Sequence, residues 1–329
     1  ADVRDLSRTA AFGRVHFKER AAVVGSSADE MKSALCRLAD EKTVATVSGL
    51  DQPPVAFLFS GQGAHQADAG RQLYEMVPSF RVALDRCDSL LRQTLGKPLI
   101  DLIANPELWS DLSVAHPAHF AFQFALATTW MEWGVTPDYV MGHSAGEYAA
   151  ACIAGVFGLE DGLVLSRTRG SLFQNCLSRG GAMATVLASA EALNPFLKAH
   201  QDRVSVAAEN GPLSTVIAGA EHNVTGLLLE LESAGFECRR LSVSRAGHSP
   251  LVEPILNDLE RSVQAAALSK PKIALVSSLT GALAGEEIAT PRYWRRQARE
   301  RIKFAAAVET LTRLGVSTFV EIGPGATLL

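Results

Sequence analysis

The amino-acid sequence predicts an α/β fold, in which a parallel-sheet core carries an inserted ferredoxin-like subdomain with the element order βαββαβ. Three observations predict this fold. Unbroken apolar runs such as residues 55–59 are typical of parallel strands that are buried on both faces. Strand-like and helical segments alternate along most of the chain. Between residues 181 and 244 the pattern changes to shorter strands and helices separated by turn-forming residues.

The core sheet is predicted to contain four apolar segments of the chain. These are residues 55–59, 139–141, 273–276 and 318–322. Helices are predicted between them, at 117–133, 145–154 and 159–177.

The inserted segment has its own order of elements. Strands are predicted at 182–187, 204–208, 214–218 and 238–243, and helices at 190–200 and 223–234. The turn formers Asn210, Gly211 and Pro212 separate the two middle strands. This order is that of the ferredoxin-like motif.

Composition and charge exclude several classes of protein. With 47% hydrophobic and 20% charged residues the chain is globular and can bury a sizeable core. The net charge of −4 gives no basic field, so neither nucleic acid nor a membrane surface is expected as a partner. No apolar run reaches about 18 residues, and the first 20 residues contain no apolar core. We therefore expect a soluble, cytoplasmic protein.

The sequence Gly142-His143-Ser144-Ala145-Gly146 follows a predicted strand and opens a predicted helix. This is the context of a nucleophile elbow, a sharp turn that exposes a reactive serine. The flanking glycines remove Cβ atoms that would clash in such a turn. Ser144 is therefore predicted to be a nucleophile, and the backbone N–H of Ala145 is predicted to face the oxyanion of a tetrahedral intermediate.

A serine hydroxyl needs a base, and the chain has eight histidines to choose from. His143 adjoins Ser144, and since neighbours on a sharp turn point apart, it is predicted to be structural. His116 and His119 flank Pro117 at a predicted helix start, so they are predicted to cap the helix or to lie at the surface. His248 lies in a tight loop after the last inserted strand. From the residues alone, His248 is the best of several candidates.

The order of these motifs resembles a known family. Gly61-Gln62-Gly63, the segment from Gly142 to Glu147, Arg169-Gly170, His248-Ser249-Pro250 and Glu321-Ile322-Gly323-Pro324-Gly325 resemble its signatures. The family is that of the acyltransferase domains of modular polyketide synthases and of malonyl-CoA:acyl carrier protein transacylase. The resemblance covers nearly the whole chain.

The resemblance implies a role for each motif. Ser144 would be the acylated nucleophile and His248 its base. Gln62 and Ala145 would supply the N–H groups of the oxyanion hole. Gln297 resembles the residue whose backbone carbonyl orients the catalytic histidine. Arg169 resembles the clamp for the free carboxylate of the extender unit, which agrees with the paired donors of a guanidinium.

The resemblance also implies the reaction and its partners. An acyl-CoA would donate a malonyl-type unit to Ser144 in a ping-pong mechanism, and the phosphopantetheine thiol of an acyl carrier protein would accept it. Neither a metal nor a bound cofactor is expected. Residues 1–53 resemble part of the linker that joins a ketosynthase domain to the acyltransferase. Residues 54–180 and 245–329 would form an α/β hydrolase-like core, and residues 181–244 the ferredoxin-like subdomain.

The identity of the extender unit depends on the four residues that end in His248. Malonyl-selective members tend to read His-Ala-Phe-His and methylmalonyl-selective members Tyr-Ala-Ser-His, whereas this chain reads Arg245-Ala246-Gly247-His248. Since Gly247 has no side chain to crowd the acyl group, we expect a roomy cavity that admits a substituent on C2. His65, where glutamine is usual, is expected near this cavity. A plain malonyl unit is the alternative.

Two other functions remain open at this stage. A serine hydrolase or thioesterase could use the same elbow, and it would normally need an acid to orient the histidine. The chain could also be an inactive module that only docks carrier proteins.

Overall fold

A computed structural model of the chain describes residues 2–15, 17, 19–41, 45–46, 53–61, 67–177, 180–243 and 245–329. The chain divides into two compact units, Ala1–Gln52 and Pro53–Leu329. The first contains helix α1 (Val3–Phe12), strand β1 (Glu19–Arg20), helix α2 (Ala28–Glu41) and strand β2 (Ala45–Thr46), with β1 antiparallel to β2. The assignment of residues 1–53 to a linker stays a prediction.

The second unit contains the predicted core and the predicted insertion. Its first part consists of β3 (Val55–Phe59), α3 (Ala67–Met76), α4 (Pro78–Leu95), α5 (Leu99–Ile103), α6 (Leu112–Glu132), β4 (Tyr139–Gly142), α7 (Gly146–Ile153) and α8 (Leu159–Cys176). Its middle part consists of β5 (Gly181–Val186), α9 (Ala190–Ala199), β6 (Val204–Gly211), β7 (Ser214–Ala220), α10 (Glu221–Ser233) and β8 (Cys238–Arg240). Its last part consists of α11 (Leu256–Gln264), β9 (Ala274–Val276), α12 (Pro291–Arg299), α13 (Phe304–Arg313) and β10 (Thr318–Ile322).

The core sheet is parallel throughout, with the strand order β10-β3-β4-β9. Strand β3 lies inside the sheet and is buried on both faces, as its unbroken apolar sequence predicts. Phe57 and Phe59 pack into the hydrophobic cluster on one face, and Ala56 and Leu58 into the cluster on the other. All four predicted core strands are present.

The inserted segment forms a separate antiparallel sheet with the order β6-β7-β5-β8. Helices α9 and α10 supply Leu193, Leu227 and Leu231 to a cluster with β5 and β7. Both the parallel core and the βαββαβ subdomain are therefore confirmed.

The subdomain sheet is hydrogen-bonded to the core close to the C-terminal end of α12. Ala208 on β6 bridges Ile302 in parallel. The N–H of Glu209 donates to the carbonyl of Ile302 at 2.8 Å, and the N–H of Ile302 donates to the carbonyl of Ala207 at 2.9 Å. The subdomain is thereby fixed to the segment that follows α12.

Helix α6 lies at the centre of the core and is apolar nearly all round, which is typical of a buried helix. It begins at Leu112, five residues earlier than predicted, because the side chain of Asp111 caps the N–H of Ser113. Within the ranges that the structure describes, no helix is both long and apolar enough to cross a membrane.

Candidate active site

Ser144 lies in a sharp turn between strand β4 and helix α7. Its φ angle is +51°, in the left-handed region that non-glycine residues rarely adopt. A Cβ on Gly142 would collide with the backbone of Glu147, and one on Gly146 with the carbonyl oxygens of Phe59 and Ser60. The sequence thus folds here as a strained elbow, and such strain is characteristic of functional positions.

His248 lies beside Ser144 although 104 residues separate them in the chain. Ser144 Oγ is 2.8 Å from His248 Nε2. His248 Nδ1 is 2.8 Å from the backbone carbonyl of Glu300, which can only accept a hydrogen bond. The hydrogen of the neutral ring is therefore on Nδ1, and the lone pair of Nε2 faces the serine hydroxyl.

The imidazole of His248 is buried and neutral. Burial, and secondly the positive charge of Arg169, lower its pKa to about 3, whereas the hydrogen bond to Glu300 acts in the opposite direction. A neutral imidazole can accept the proton of a serine hydroxyl. The pair Ser144–His248 thus has the geometry and the protonation state of a nucleophile and its base.

Two backbone carbonyls at the C-terminal end of helix α12 hold the histidine, one in the last turn of the helix and one just after it. The N–H of His248 donates to the carbonyl of Ala298 at 3.3 Å, and Nδ1 donates to that of Glu300. The expectation that Gln297 supplies the orienting carbonyl is wrong. Helix α12 ends at Arg299, and the chain turns to an extended conformation at Glu300, which directs that carbonyl to the ring.

Gln297 acts on the nucleophile side through its side chain. Its Nε2 donates to the backbone carbonyl of Ser144 at 2.8 Å and to the carboxylate of Glu147 at 3.1 Å. The same carboxylate accepts hydrogen bonds from the N–H and hydroxyl of Ser278 and from the hydroxyl of Tyr293. Glu147 is fully buried, and this raises its pKa while the four donors lower it. The sequence did not predict this network.

Arg169, on helix α8, is the cation nearest to the reacting serine. Its side chain is 97% buried, since only 3% is exposed, and Nη2 lies 3.4 Å from Ser144 Oγ. Its guanidinium carbon lies 4.4 Å from the ring centroid of Phe173. Nη1 lies 3.3 Å from the ring nitrogens of His116, whose pKa burial holds well below its usual range. Arg169 forms no ion pair within the described ranges of the chain.

A cavity of about 360 Å³ opens over these residues. Ser144, His248 and Arg169 lie in its wall together with Phe173. The subdomain completes the wall with apolar side chains from β5, β6 and β7, namely Met183, Ala207, Ala208 and Val216. The cavity therefore lies between the subdomain sheet and the helices and loops of the core, with the charged groups on the core side.

The four residues of the specificity motif occupy different environments. Arg245 and Gly247 line the cavity. Ala246 is buried instead in the core cluster that contains Ala208 and Met141. A Cβ at Gly247 would lie 3.4 Å from Phe173, which is ordinary van der Waals contact. A side chain introduced at position 247 would therefore contact the ring of Phe173, over which Arg169 also lies.

Three other histidines have structural surroundings. His143 bonds Asn210 at 2.9 Å, in agreement with its predicted structural role. The prediction that His116 and His119 cap a helix or lie at the surface is wrong, because α6 begins earlier and buries both. His119 Nε2 lies 2.8 Å from the carbonyl of Ser60, and His116 lies beside Arg169.

Two of the predicted site residues, Gln62 and His65, lie outside the residues that the structure describes. Ala145, the residue after the nucleophile, is the N-cap of α7 and lies in the cavity wall. In the described part of the chain, no three His, Cys, Asp or Glu side chains are grouped so that they could hold a metal ion.

Comparison with known proteins identifies a family and solved structures that this chain matches. The pattern of the acyl transferase domain family matches residues 56–329. Polyketide synthase GfsA of Streptomyces halstedii is 37% identical over 337 residues, which cover 98% of this chain and 4% of that protein. Mycoketide-CoA synthase of Mycobacterium tuberculosis is 37% identical, over 100% of this chain and 8% of that protein. The chain thus spans a small part of the curated relatives that it matches.

Solved structures with the same fold include the acyltransferase domain from the second module of the salinomycin polyketide synthase. It superposes with a TM-score of 0.86 at 36% identity, over 100% of this chain and 78% of that one. The acyltransferase domain of SpnD, solved in complex with 2-(pent-4-yn-1-yl)malonyl, gives a TM-score of 0.86 at 33% identity with the same coverage. The chain therefore belongs to the acyl transferase domain family, and it is an acyltransferase domain of the polyketide synthase type.

Proposed function

We propose that this chain moves a malonyl-type extender unit with a C2 substituent from CoA to the phosphopantetheine of an acyl carrier protein. The observation that carries the proposal is the buried guanidinium of Arg169, 3.4 Å from Ser144 Oγ and without a carboxylate partner in the described part of the chain. A buried cation of this kind is stable when a bound ligand supplies the opposite charge. The free carboxylate of a malonyl-type unit would do so beside the nucleophile.

The first half-reaction forms an ester on Ser144. His248 Nε2 takes the proton from Ser144 Oγ as the oxygen attacks the thioester carbonyl. The N–H groups of Ala145 and Gln62 stabilise the negative oxygen of the tetrahedral intermediate. The C–S bond then breaks, and His248 returns the proton to the sulfur of CoA. In the second half-reaction the phosphopantetheine thiol attacks the ester by the same steps, and Ser144 is regenerated.

The free carboxylate of a bound malonyl-type unit also makes His248 a stronger base. The charge of Arg169 is the second cause, after burial, of the lowered pKa of His248. A carboxylate paired with Arg169 neutralises that charge and raises the pKa of His248. Loading of a malonyl-type unit is thereby favoured over loading of an uncharged acyl group in the chemical step as well as in binding.

The C2 substituent is proposed from the shape of the cavity. Gly247 contributes no side chain and lies beside Phe173, and the cavity wall also contains small residues such as Ala207. The acyltransferase domain of SpnD was solved with a malonyl unit that carries a five-carbon chain on C2. Arg245, Gly247 and His65 are proposed to select the substituent, whereas Ala246 acts only by packing.

The test is incubation of the protein with equimolar malonyl-, methylmalonyl- and ethylmalonyl-CoA, followed by intact-protein mass spectrometry. We expect a stable mass increase of one substituted acyl group, absent in Ser144→Ala, and its loss when a phosphopantetheinylated carrier protein is added. Preference for plain malonyl would overturn the C2 substituent alone. Rapid release of free acid without carrier protein would identify a hydrolase, and no loading at all would overturn the proposed reaction.

The wider partners follow from the relatives. The matched proteins are polyketide synthases, which carry this domain within a much longer chain. We propose that the acyl carrier protein accepts the unit and that residues 1–53 connect the domain to a ketosynthase.

A further inference from the structure

A second buried guanidinium lines the same cavity. Arg245 is only 9% exposed and belongs to the cavity wall. Its Nη2 donates to the carbonyl of Gln174 at 2.6 Å. Its Nε is buried and has no hydrogen-bond partner, and the side chain forms no ion pair, among the residues that the structure describes. Within the described residues, Nη2 of this guanidinium is therefore bonded, and Nε is a buried donor without an acceptor.

Arg245 and Arg169 contact neighbouring positions of helix α8. Arg169 lies over the ring of Phe173, and Arg245 binds the carbonyl of the next residue, Gln174, in the last turn of α8. Gly247 follows Arg245 by two residues and lies beside the ring of Phe173. An extender whose carboxylate pairs with Arg169 would direct its C2 substituent across Phe173 and past Gly247, toward Arg245.

A structural role accounts for part of this arrangement. A cation at the C-terminal end of a helix is favourable, because the last carbonyls carry partial negative charge. That role needs only the single bond to Gln174. A buried donor without a partner is unfavourable, so the Nε–H of Arg245 favours an acceptor supplied by a bound ligand.

We propose that Arg245 forms a subsite for an oxygen atom on the C2 substituent, so that the domain prefers an oxygen-bearing malonyl-type unit to an alkyl one. This inference depends on the proposed function. An ether or hydroxyl oxygen would accept a hydrogen bond from the guanidinium, whereas an alkyl group of equal size would leave the buried Nε–H of Arg245 without an acceptor. Sites built to hydrogen-bond a substrate discriminate strongly against the analogue that lacks the bonding atom.

The test uses two probes that differ by one atom, the pantetheine thioesters of 2-methoxymalonate and 2-ethylmalonate. Each is loaded in competition, and the ratio of the two acyl-enzymes is read by intact-protein mass spectrometry. We expect the wild-type protein to prefer the methoxy unit by about tenfold or more. Equal loading of the two probes, or preference for ethyl, would overturn the inference while the proposed acyl transfer stands. Absence of loading from either would instead contradict the proposed function.

Variants then assign the preference to Arg245. In Arg245→Met, which keeps the length and apolar stem, we expect the ratio to fall to about one, with the ethyl unit loaded at least as well as before. Arg239→Met, at an exposed position of β8, is the matched control and should keep the ratio. If Arg245→Met unfolds, Arg245→Lys supplies the second variant, because it keeps the charge near Gln174 but has lost the planar set of donors. An unchanged ratio in a folded Arg245 variant would contradict the subsite.

Discussion

Gln297 donates its side-chain amide to the backbone carbonyl of Ser144, at a distance of 2.8 Å. This bond holds the residue whose backbone is strained, with φ at +51°. We expect Gln297→Ala to lower kcat for acylation by about 10- to 100-fold, because a misplacement of the nucleophile by about 1 Å can cost 100-fold in rate. The KM for the acyl donor should change by less than about threefold, since the amide does not line the cavity.

The control for this prediction is Gln264→Ala, which removes an exposed amide at the end of α11. Steady-state kinetics of both variants should separate kcat from KM. If kcat of the Gln297→Ala variant is unchanged, the amide does not position the nucleophile. If only KM rises, the amide acts in substrate binding instead.

Arg169 is expected to make loading of acyl groups with a free carboxylate faster than loading of acyl groups without one. Since the pair between guanidinium and carboxylate forms only with the former, Arg169→Met should lower malonyl-type loading by about 100-fold or more. Acetyl loading should fall much less or rise. Arg167→Met, which alters a half-buried arginine of the same helix outside the cavity wall, should leave both rates near wild type. Parallel losses for both acyl groups in Arg169→Met would contradict the clamp.

The pH dependence of acylation follows from His248. Its neutral form is the base, and this form is present above its pKa of about 3, instead of above the usual 6.5. As pH falls from 8 to 5 the base therefore stays neutral, and kcat/KM should remain nearly constant. The measurement uses a neutral ester substrate, so that no carboxylate of the substrate titrates. A decrease in kcat/KM toward low pH with a midpoint near 6.5 would mean that the pKa of His248 is not lowered in the folded protein.

The glycines of the elbow should tolerate no side chain. In Gly146→Ala the new Cβ would collide with the carbonyl oxygens of Phe59 and Ser60, so we expect a loss of about 2 kcal/mol or more in the free energy of unfolding. Gly226→Ala is the matched control, because Gly226 lies in α10 and a Cβ there meets no atom within 4 Å. That variant should gain about 0.4–1 kcal/mol. Thermal unfolding of both variants by circular dichroism provides the measurement.

Local patterns predicted the fold and the sharp turn that carries Ser144. The apolar runs of the core strands and the sequence Gly-x-Ser-x-Gly are contiguous in the chain, so burial and turn geometry act on neighbouring residues. Pairing of His248 with Ser144 spans 104 residues, and the residues alone left it as one candidate among several. The motif order of a known family, and afterwards the fold, brought these two residues together.

The parts that the sequence did not predict are tertiary contacts. Glu147 is an acid in an apolar helix, and that contrast was a usable signal, but its donors come from residues 278, 293 and 297, more than a hundred positions away. The bond from His248 to Glu300 depends on where α12 ends, and helix ends are uncertain by one or two residues in any sequence pattern. His116 and His119 were misplaced because Pro117 is typical of a helix start, yet it lies in the second turn here.

The carbonyls of Ala298 and Glu300, at the C-terminal end of helix α12, accept hydrogen bonds from the backbone and the ring of His248. The side-chain amide of Gln297, on the same helix, donates to the carbonyl of Ser144. Both reacting groups thus take their positions from one end of a core helix, while the neighbouring subdomain contributes mainly apolar residues to the cavity wall. The groups that position the nucleophile and its base, namely the amide of Gln297 and the carbonyls of Ala298 and Glu300, are therefore different from Arg245 and Gly247, which are proposed to select the substituent. Mutation of the cavity wall, in evolution or by design, can therefore exchange one acyl unit for another while Ser144 and His248 keep their positions.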